Sequence, residues 1–136
     1  MEKEIVLKNV KVIFADLEDR GFGRNIVIDA TDDEIRNAIV AWIKENNING
    51  GEAKFKYYTT KEGDETKQYT FKLSNYTVFD GDNNLNEKSL GYGAIINLSA
   101  SAYDYNNKFG AGTSASLRAV YVKQGAVKSA ISKLKD

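Results

Sequence analysis

Only one long stretch of this chain repeats its apolar residues at helical spacing; nearly everything else alternates with a period of two. In that stretch Ile35, Ala38, Ile39, Trp42 and Ile43 form one apolar stripe, the pattern of a helix laid on a core. Thr31-Asp32-Asp33-Glu34 precedes it and reads as a capping box, with Thr31 capping the N3 amide and Glu34 reaching back. The acids of that turn suit the positive end of the helix dipole. Asn46-Asn47-Ile48-Asn49-Gly50-Gly51 supplies the stop. The expected helix covers about 31–47, with Trp42 facing the core. A lone internal helix cannot supply the crossovers of a doubly wound parallel sheet. The strands must instead close as a small antiparallel barrel or sandwich.

Six strands are expected around that helix. Residues 5–15 alternate, with Val10, Val12 and Phe14 on one face, and Lys8-Asn9 breaks the alternation as a bend or bulge does. Residues 24–29 place Ile26 and Ile28 on one side. Segments 52–60 and 67–74 flank the polar loop Lys61-Glu62-Gly63-Asp64-Glu65. After a short extended piece at 76–79, segments 92–105 and 113–123 make a second hairpin across 106–112. Residues 126–135 carry Ala126, Ala130, Ile131 and Leu134 at helical spacing, a short basic helix. At 136 residues the chain is one domain, 1–136, with 125–136 as a basic C-terminal extension.

Composition removes most chemistry. The chain has no cysteine and no histidine, which excludes disulfides, Cys/His zinc sites, thiol nucleophiles and every Ser–His device. There is no P-loop, and the paired glycines at 21/23, 91/93 and 110/112 do not sit between a strand and a helix start. Asp80-Gly81-Asp82-Asn83-Asn84 resembles half of a calcium loop, but Leu85 stands where glycine is needed and Gly91 where a bidentate Glu is needed. No two acids share an apolar setting that would raise a pKa. The expectation is a non-enzymatic protein without cofactor. No apolar run approaches a membrane span of ~20 residues, and Met1-Glu2-Lys3-Glu4 is unlike a signal peptide. The expectation is an intracellular location without membrane contact.

Charge and aromatic residues are skewed toward one half. Lys plus Arg and Asp plus Glu number 19 each, so bulk charge does not hold duplex DNA here. Yet the first 50 residues carry 7 basic and 10 acidic side chains, the rest 12 and 9. Twelve of the fifteen aromatic residues lie between Phe55 and Tyr121. Strand parity sorts them further. Phe55, Tyr57, Phe71 and Leu73 fall on a core face, while Lys54, Lys56, Tyr58 and Lys72 share a wet one. In 92–105 the core set is Ala94, Ile96, Leu98, Ala100 and Ala102, and the other face presents Tyr103 and Tyr105 among small polar residues. Lys108 and Phe109 follow, with Arg118 across the hairpin. Exposed rings interleaved with cations suit single-stranded nucleic acid, whose bases stack and whose phosphates need neutralising. The same tyrosines equally suit a protein–protein interaction or inhibitor module.

The stretch Asn97-Leu98-Ser99-Ala100-Ser101-Ala102-Tyr103-Asp104-Tyr105-Asn106-Asn107-Lys108-Phe109-Gly110-Ala111-Gly112-Thr113-Ser114-Ala115-Ser116-Leu117-Arg118-Ala119-Val120-Tyr121-Val122 resembles the OB-fold single-stranded DNA-binding proteins of tailed bacteriophages. In that family a strand ends in aromatic residues, a Gly-x-Gly turn follows, and the next strand reads small-small-Leu-x-Ala-Val-x-Val. Leu7-Lys8-Asn9-Val10-Lys11-Val12-Ile13-Phe14 is similar too. The resemblance implies a mainly β, OB-like antiparallel barrel and sequence-tolerant binding of single-stranded DNA in phage replication or recombination. Tyr58, Tyr103, Tyr105 and Phe109 would stack bases, and Lys54, Lys56, Lys72, Lys108, Arg118 and Lys123 would meet phosphates. The 110–112 glycine turn would let a strand approach the backbone. Such proteins often end in an acidic tail that recruits replication proteins. Here the end is Lys128-Ser129-Ala130-Ile131-Ser132-Lys133-Leu134-Lys135-Asp136, which puts that recruitment in doubt. A homo-oligomer, with several protomers on one strand, would supply affinity that the charge alone does not.

Overall fold

The computed structural model describes residues 3–18, 23–59 and 61–127. Its elements run β1 (Glu4–Asp16), β2 (Asn25–Asp29), α1 (Asp33–Asn46), β3 (Phe55–Thr59), β4 (Glu65–Gly81), β5 (Ile95–Asn107) and β6 (Gly110–Gln124). Five strands close a ring: β1 pairs β2 and β5, β5 pairs β6, β6 pairs β4, and β4 pairs back to β2. This is an OB-like barrel. All of these pairings are antiparallel except β4–β6, which is parallel. β3 adds to β4 alone, outside the ring.

The 17-residue β4 makes closure possible by serving three partners along its length. Its first half lies between β3 and β2, with Tyr69 opposite both Phe55 and Ile28. Its second half runs beside β6, with Leu73 opposite Leu117 and Val78 opposite Ala119. Between those two pairs the register shifts. The Thr77 hydroxyl donates to the Leu117 carbonyl at 2.6 Å and accepts from the Ser74 amide at 2.9 Å. These bonds hold Ser74-Asn75-Tyr76-Thr77 as an outward excursion.

The interior follows the period-two pattern. Val10, Val12, Ile26, Ile28, Ile96, Leu98, Leu117, Val120 and Val122 are buried in the barrel. The expected inward set of β5, including Ala94, Ala100 and Ala102, is buried throughout. From α1, Ile39, Trp42 and Ile43 join this core. Trp42 donates from Nε1 to the Lys3 carbonyl at 2.8 Å, and its ring lies 6.2 Å from Phe71. Tyr69 packs edge-on between Phe55 and Phe71, and burial pushes its phenol well above the usual range. The break at Lys8-Asn9 is a register shift between Leu7 and Val10, with Asn9 in the left-handed region at φ 56°.

Several local expectations are corrected. The helix N-cap is Asp32, which accepts from the Glu34 and Ile35 amides. Thr31 does not cap, because its hydroxyl accepts from the Lys67 amide and ties the helix start to β4. The buried helix face includes half-buried Val40, while Ala38 is exposed. Phe14 is exposed because the β1–β2 register slips between Val12 and Phe14 and turns its side chain outward. Tyr57 is exposed because β3 leaves the barrel after Phe55, so both of its faces are wet. The hairpin loop is only Lys108-Phe109. Asn107 already pairs with Gly110, so the glycines at 110 and 112 are strand residues. All but Ala126 and Val127 of the expected C-terminal helix, 126–135, lie outside the described residues.

Candidate nucleic-acid interface

Two consequences of the barrel's construction create a groove. β6 follows β4 only from Leu117 onward, so residues 110–116 rise away from β4 as one strand of a two-stranded arm with β5. On the same edge of β4 lies β3. The outward excursion at 74–77 sits between the arm and the β2–β4 sheet. There a groove of about 430 Å³ is lined by Arg24, Lys72, Ser74, Tyr76, Tyr103 and Ser116.

Each wall has a local cause. Register pairs Lys72 with Asn25, Thr70 with Val27, and Gln68 with Lys56, so these side chains share the outer face of β2, β4 and β3. Tyr58, opposite Thr66, continues that face and is exposed. The parity that groups Lys56, Tyr58 and Lys72 is therefore realised. Lys54 ends the turn before β3 and is half-buried. Burial, with a smaller contribution from the neighbouring Lys72 charge, holds its amine below the usual lysine range. Two ammonium groups brought this close, one partly desolvated, form a site that an anion would relieve.

Across the groove stands the β5–β6 arm. Tyr103, 48% exposed, offers a ring opposite Lys72 and beside Tyr76, which is 84% exposed. Tyr105 is half-buried and committed to the scaffold. Its hydroxyl accepts from Asn49 Nδ2 at 2.9 Å, and the Asn49 amide donates to the Thr113 carbonyl at 2.8 Å. The Tyr105 ring and the Asn49 amide occupy the space where a Gly112 side chain would lie. Glycine is needed at 112 for this close approach. At the tip, Phe109 is 88% exposed with Lys108 Nζ 5.1 Å from its ring centre.

The remaining candidates lie elsewhere. Arg118 is exposed on β6 where its pairing with β5 shifts register. Lys123 donates to Asn9 Oδ1 at 2.7 Å, over the β1–β5 side of the barrel. Neither lines the groove. Conversely, sequence reasoning missed Arg24 and Tyr76. Arg24 donates to the Ser74 carbonyl at 2.7 Å and pins the excursion to the start of β2. The polar run Ser74-Asn75-Tyr76-Thr77, with two hydroxyl residues able to bond nearby backbone, was the available signal. Among the described residues no group of three or more Asp or Glu is arranged to hold a metal ion, and no helix is long and apolar enough to cross a membrane.

This barrel has known counterparts. Its fold is that of phage single-stranded DNA-binding proteins. The structure is similar to the single-stranded DNA-binding protein from bacteriophage Enc34 in complex with ssDNA. That match has 13% identity and a TM-score of 0.60, covering 92% of this chain and 88% of that one. A second structure of the Enc34 protein matches with 14% identity and a TM-score of 0.60, over 98% and 90% of the two chains. Gp2.5, a single-stranded DNA-binding protein encoded by bacteriophage T7, matches with 12% identity and a TM-score of 0.52, over 95% and 90%. No family model matches the sequence, and no curated protein matches it.

Proposed function

We propose that this protein binds single-stranded DNA without sequence preference, as a non-enzymatic component of phage DNA replication or recombination inside the host cell. The observation that carries the reading is the convergence of cations and exposed rings on one groove: Arg24 and Lys72 with Tyr76 and Tyr103, and Lys54 near Lys72. Unpaired bases stack on the two tyrosines while phosphates follow the amines and the guanidinium. Lys56 and Tyr58 prolong the track along β3, and Lys108 and Phe109 extend it at the arm's tip. The groove lies where an OB barrel's second and third strands meet the loops that flank them, the region through which this fold commonly holds oligonucleotides. The named function of the phage proteins that share the fold supports the same reading.

Duplex DNA fits poorly, because its bases are stacked on one another and unavailable to the tyrosines. Five cations, Arg24, Lys54, Lys56, Lys72 and Lys108, bound the salt dependence. At about −0.7 per phosphate neutralised, the log–log salt slope is no steeper than about −3.5. The test is anisotropy of dye-labelled oligo-dT and of duplex of equal length, at two salt concentrations. Binding of the single strand alone, weakened modestly by salt, is expected. Equal binding of duplex, or no response to either, overturns the proposal, and the second outcome would favour a protein partner on the tyrosine face.

A further inference from the structure

Closure of the barrel leaves one strand edge open. β3 pairs with β4 alone, from Phe55 opposite Tyr69 to Thr59 opposite Glu65. How β4 is bonded on its other side decides which backbone groups of β3 face outward. The Lys67 amide donates to the Thr31 hydroxyl at 3.0 Å, and the Lys67 carbonyl accepts from the Ala30 amide at 2.8 Å. Both groups therefore point away from β3, and Tyr57 and Lys67 form a non-hydrogen-bonded pair of the ladder. The ladder bonds to β4 fall to Lys56 and Tyr58, and the Tyr58 carbonyl also accepts from the Thr66 hydroxyl at 3.3 Å. The Phe55 amide turns back to the Glu52 carbonyl. The Phe55 carbonyl, both backbone groups of Tyr57 and the Thr59 amide face away from the sheet, with no partner among the described residues.

Such an edge is a template for another strand, and proteins ordinarily blunt it with a bulge or a proline. β3 has no register shift and the chain has no proline. Its five residues offer about 17 Å of extended backbone for pairing. Side chains beside the edge set the chemistry of what fits. On one face stands Lys56, with Lys54 just before the strand. On the other face Tyr57 presents a 59% exposed ring, with Lys67 Nζ 5.9 Å from its centre. The acids Glu62 and Glu65 lie at the opposite end of β3, by the hairpin loop.

We infer that β3 takes up an extended segment of a partner protein as an added strand, and that this segment alternates acidic and apolar residues. Main-chain hydrogen bonds to Tyr57 and Thr59 supply the attachment, as in other strand additions to an open edge. Successive residues of the added strand point to opposite faces. An Asp or Glu opposite Lys56 thus comes with an apolar side chain on the Tyr57 ring, one position away. A lysine opposite Lys56 would repel it, which selects against basic segments. Strand addition uses backbone groups outside the groove and stands apart from DNA binding; Lys54 and Lys56 are the cations common to the two ligands.

Amide-resolved NMR of the full chain, titrated with a capped eight-residue peptide, reads the docking directly. The peptide carries valine at every second position, with two aspartates between the central valines and threonine toward the ends. The Tyr57 and Thr59 amides should shift most and exchange with solvent about tenfold or more slowly in the bound state. The same peptide with lysine in place of aspartate should not bind. Thr59→Pro removes an outward donor that the β3–β4 ladder does not use, a position where a strand tolerates proline. It should weaken peptide binding by about tenfold or more and keep the wild-type affinity for oligo-dT. Unchanged Tyr57 and Thr59 amides at millimolar peptide overturn the inference. So does equal binding of the lysine peptide, or a folded Thr59→Pro protein that binds the peptide as wild type does. If Thr59→Pro does not fold, the amide map of the wild type decides. Lost peptide docking with intact oligo-dT binding strikes this inference alone, and the reverse pattern strikes only the DNA-binding proposal.

Discussion

Tyr103→Ala isolates the stacking contribution at the groove. The ring is about half exposed and faces the space shared with Lys72 and Tyr76. Its removal therefore deletes a platform without opening a cavity in the core, and the fold should lose no more than about 0.5 kcal/mol. A base stacked on an aromatic ring is worth about 1–3 kcal/mol by alanine substitution. That corresponds to a dissociation constant for oligo-dT raised about 5- to 150-fold. The cations are untouched, so the salt slope should match wild type while the affinity drops. Tyr92→Ala is the matched control: it too removes an exposed tyrosine, one tied to Lys11 rather than to the groove. Anisotropy of labelled oligo-dT is the suitable assay, because the single tryptophan, Trp42, is buried. Equal losses for the two variants would mean that tyrosines act through general stability. A Tyr103→Ala protein that binds as tightly as wild type would refute the stacking argument.

Two further outcomes follow from the same geometry. Lys54 is held below its usual pKa by burial and by Lys72, so the folded state takes up its proton less readily than the unfolded chain. Stability should therefore rise with pH between the lowered value and about 10.4, the unfolded reference. Lys54→Met should abolish that rise and raise the melting temperature at neutral pH, while weakening oligo-dT binding; an unchanged melting temperature argues against the burial cost. Gly112→Ala places a methyl group against the Asn49 amide and the Tyr105 ring. It should cost about 1–3 kcal/mol in a denaturant melt and also lower single-strand affinity by loosening the arm. Wild-type stability in that variant would show that the Tyr105–Asn49 strut does not hold the arm.

Periodicity alone determined a good deal about this protein: the inward residues of β5, the burial of Phe55 and Phe71, the single helix with Trp42 in the core, and the common wet face of Lys56, Tyr58 and Lys72. Each depends on a repeat of two or of about 3.6 residues within one segment, and such repeats survive in the linear chain. What only the tertiary structure decided is where those faces meet. Phe14 turned outward at a register slip against β2, and Tyr57 lay beyond the end of the core. Lys123 went to the barrel's far wall, while Arg24 and Tyr76 came to the groove. All of these depend on which half of β4 pairs with which neighbour and where a bulge shifts the count. A one-residue slip reverses every side chain beyond it. Pairing between strands distant in sequence is chosen by the closure of the whole barrel, so no local pattern records it.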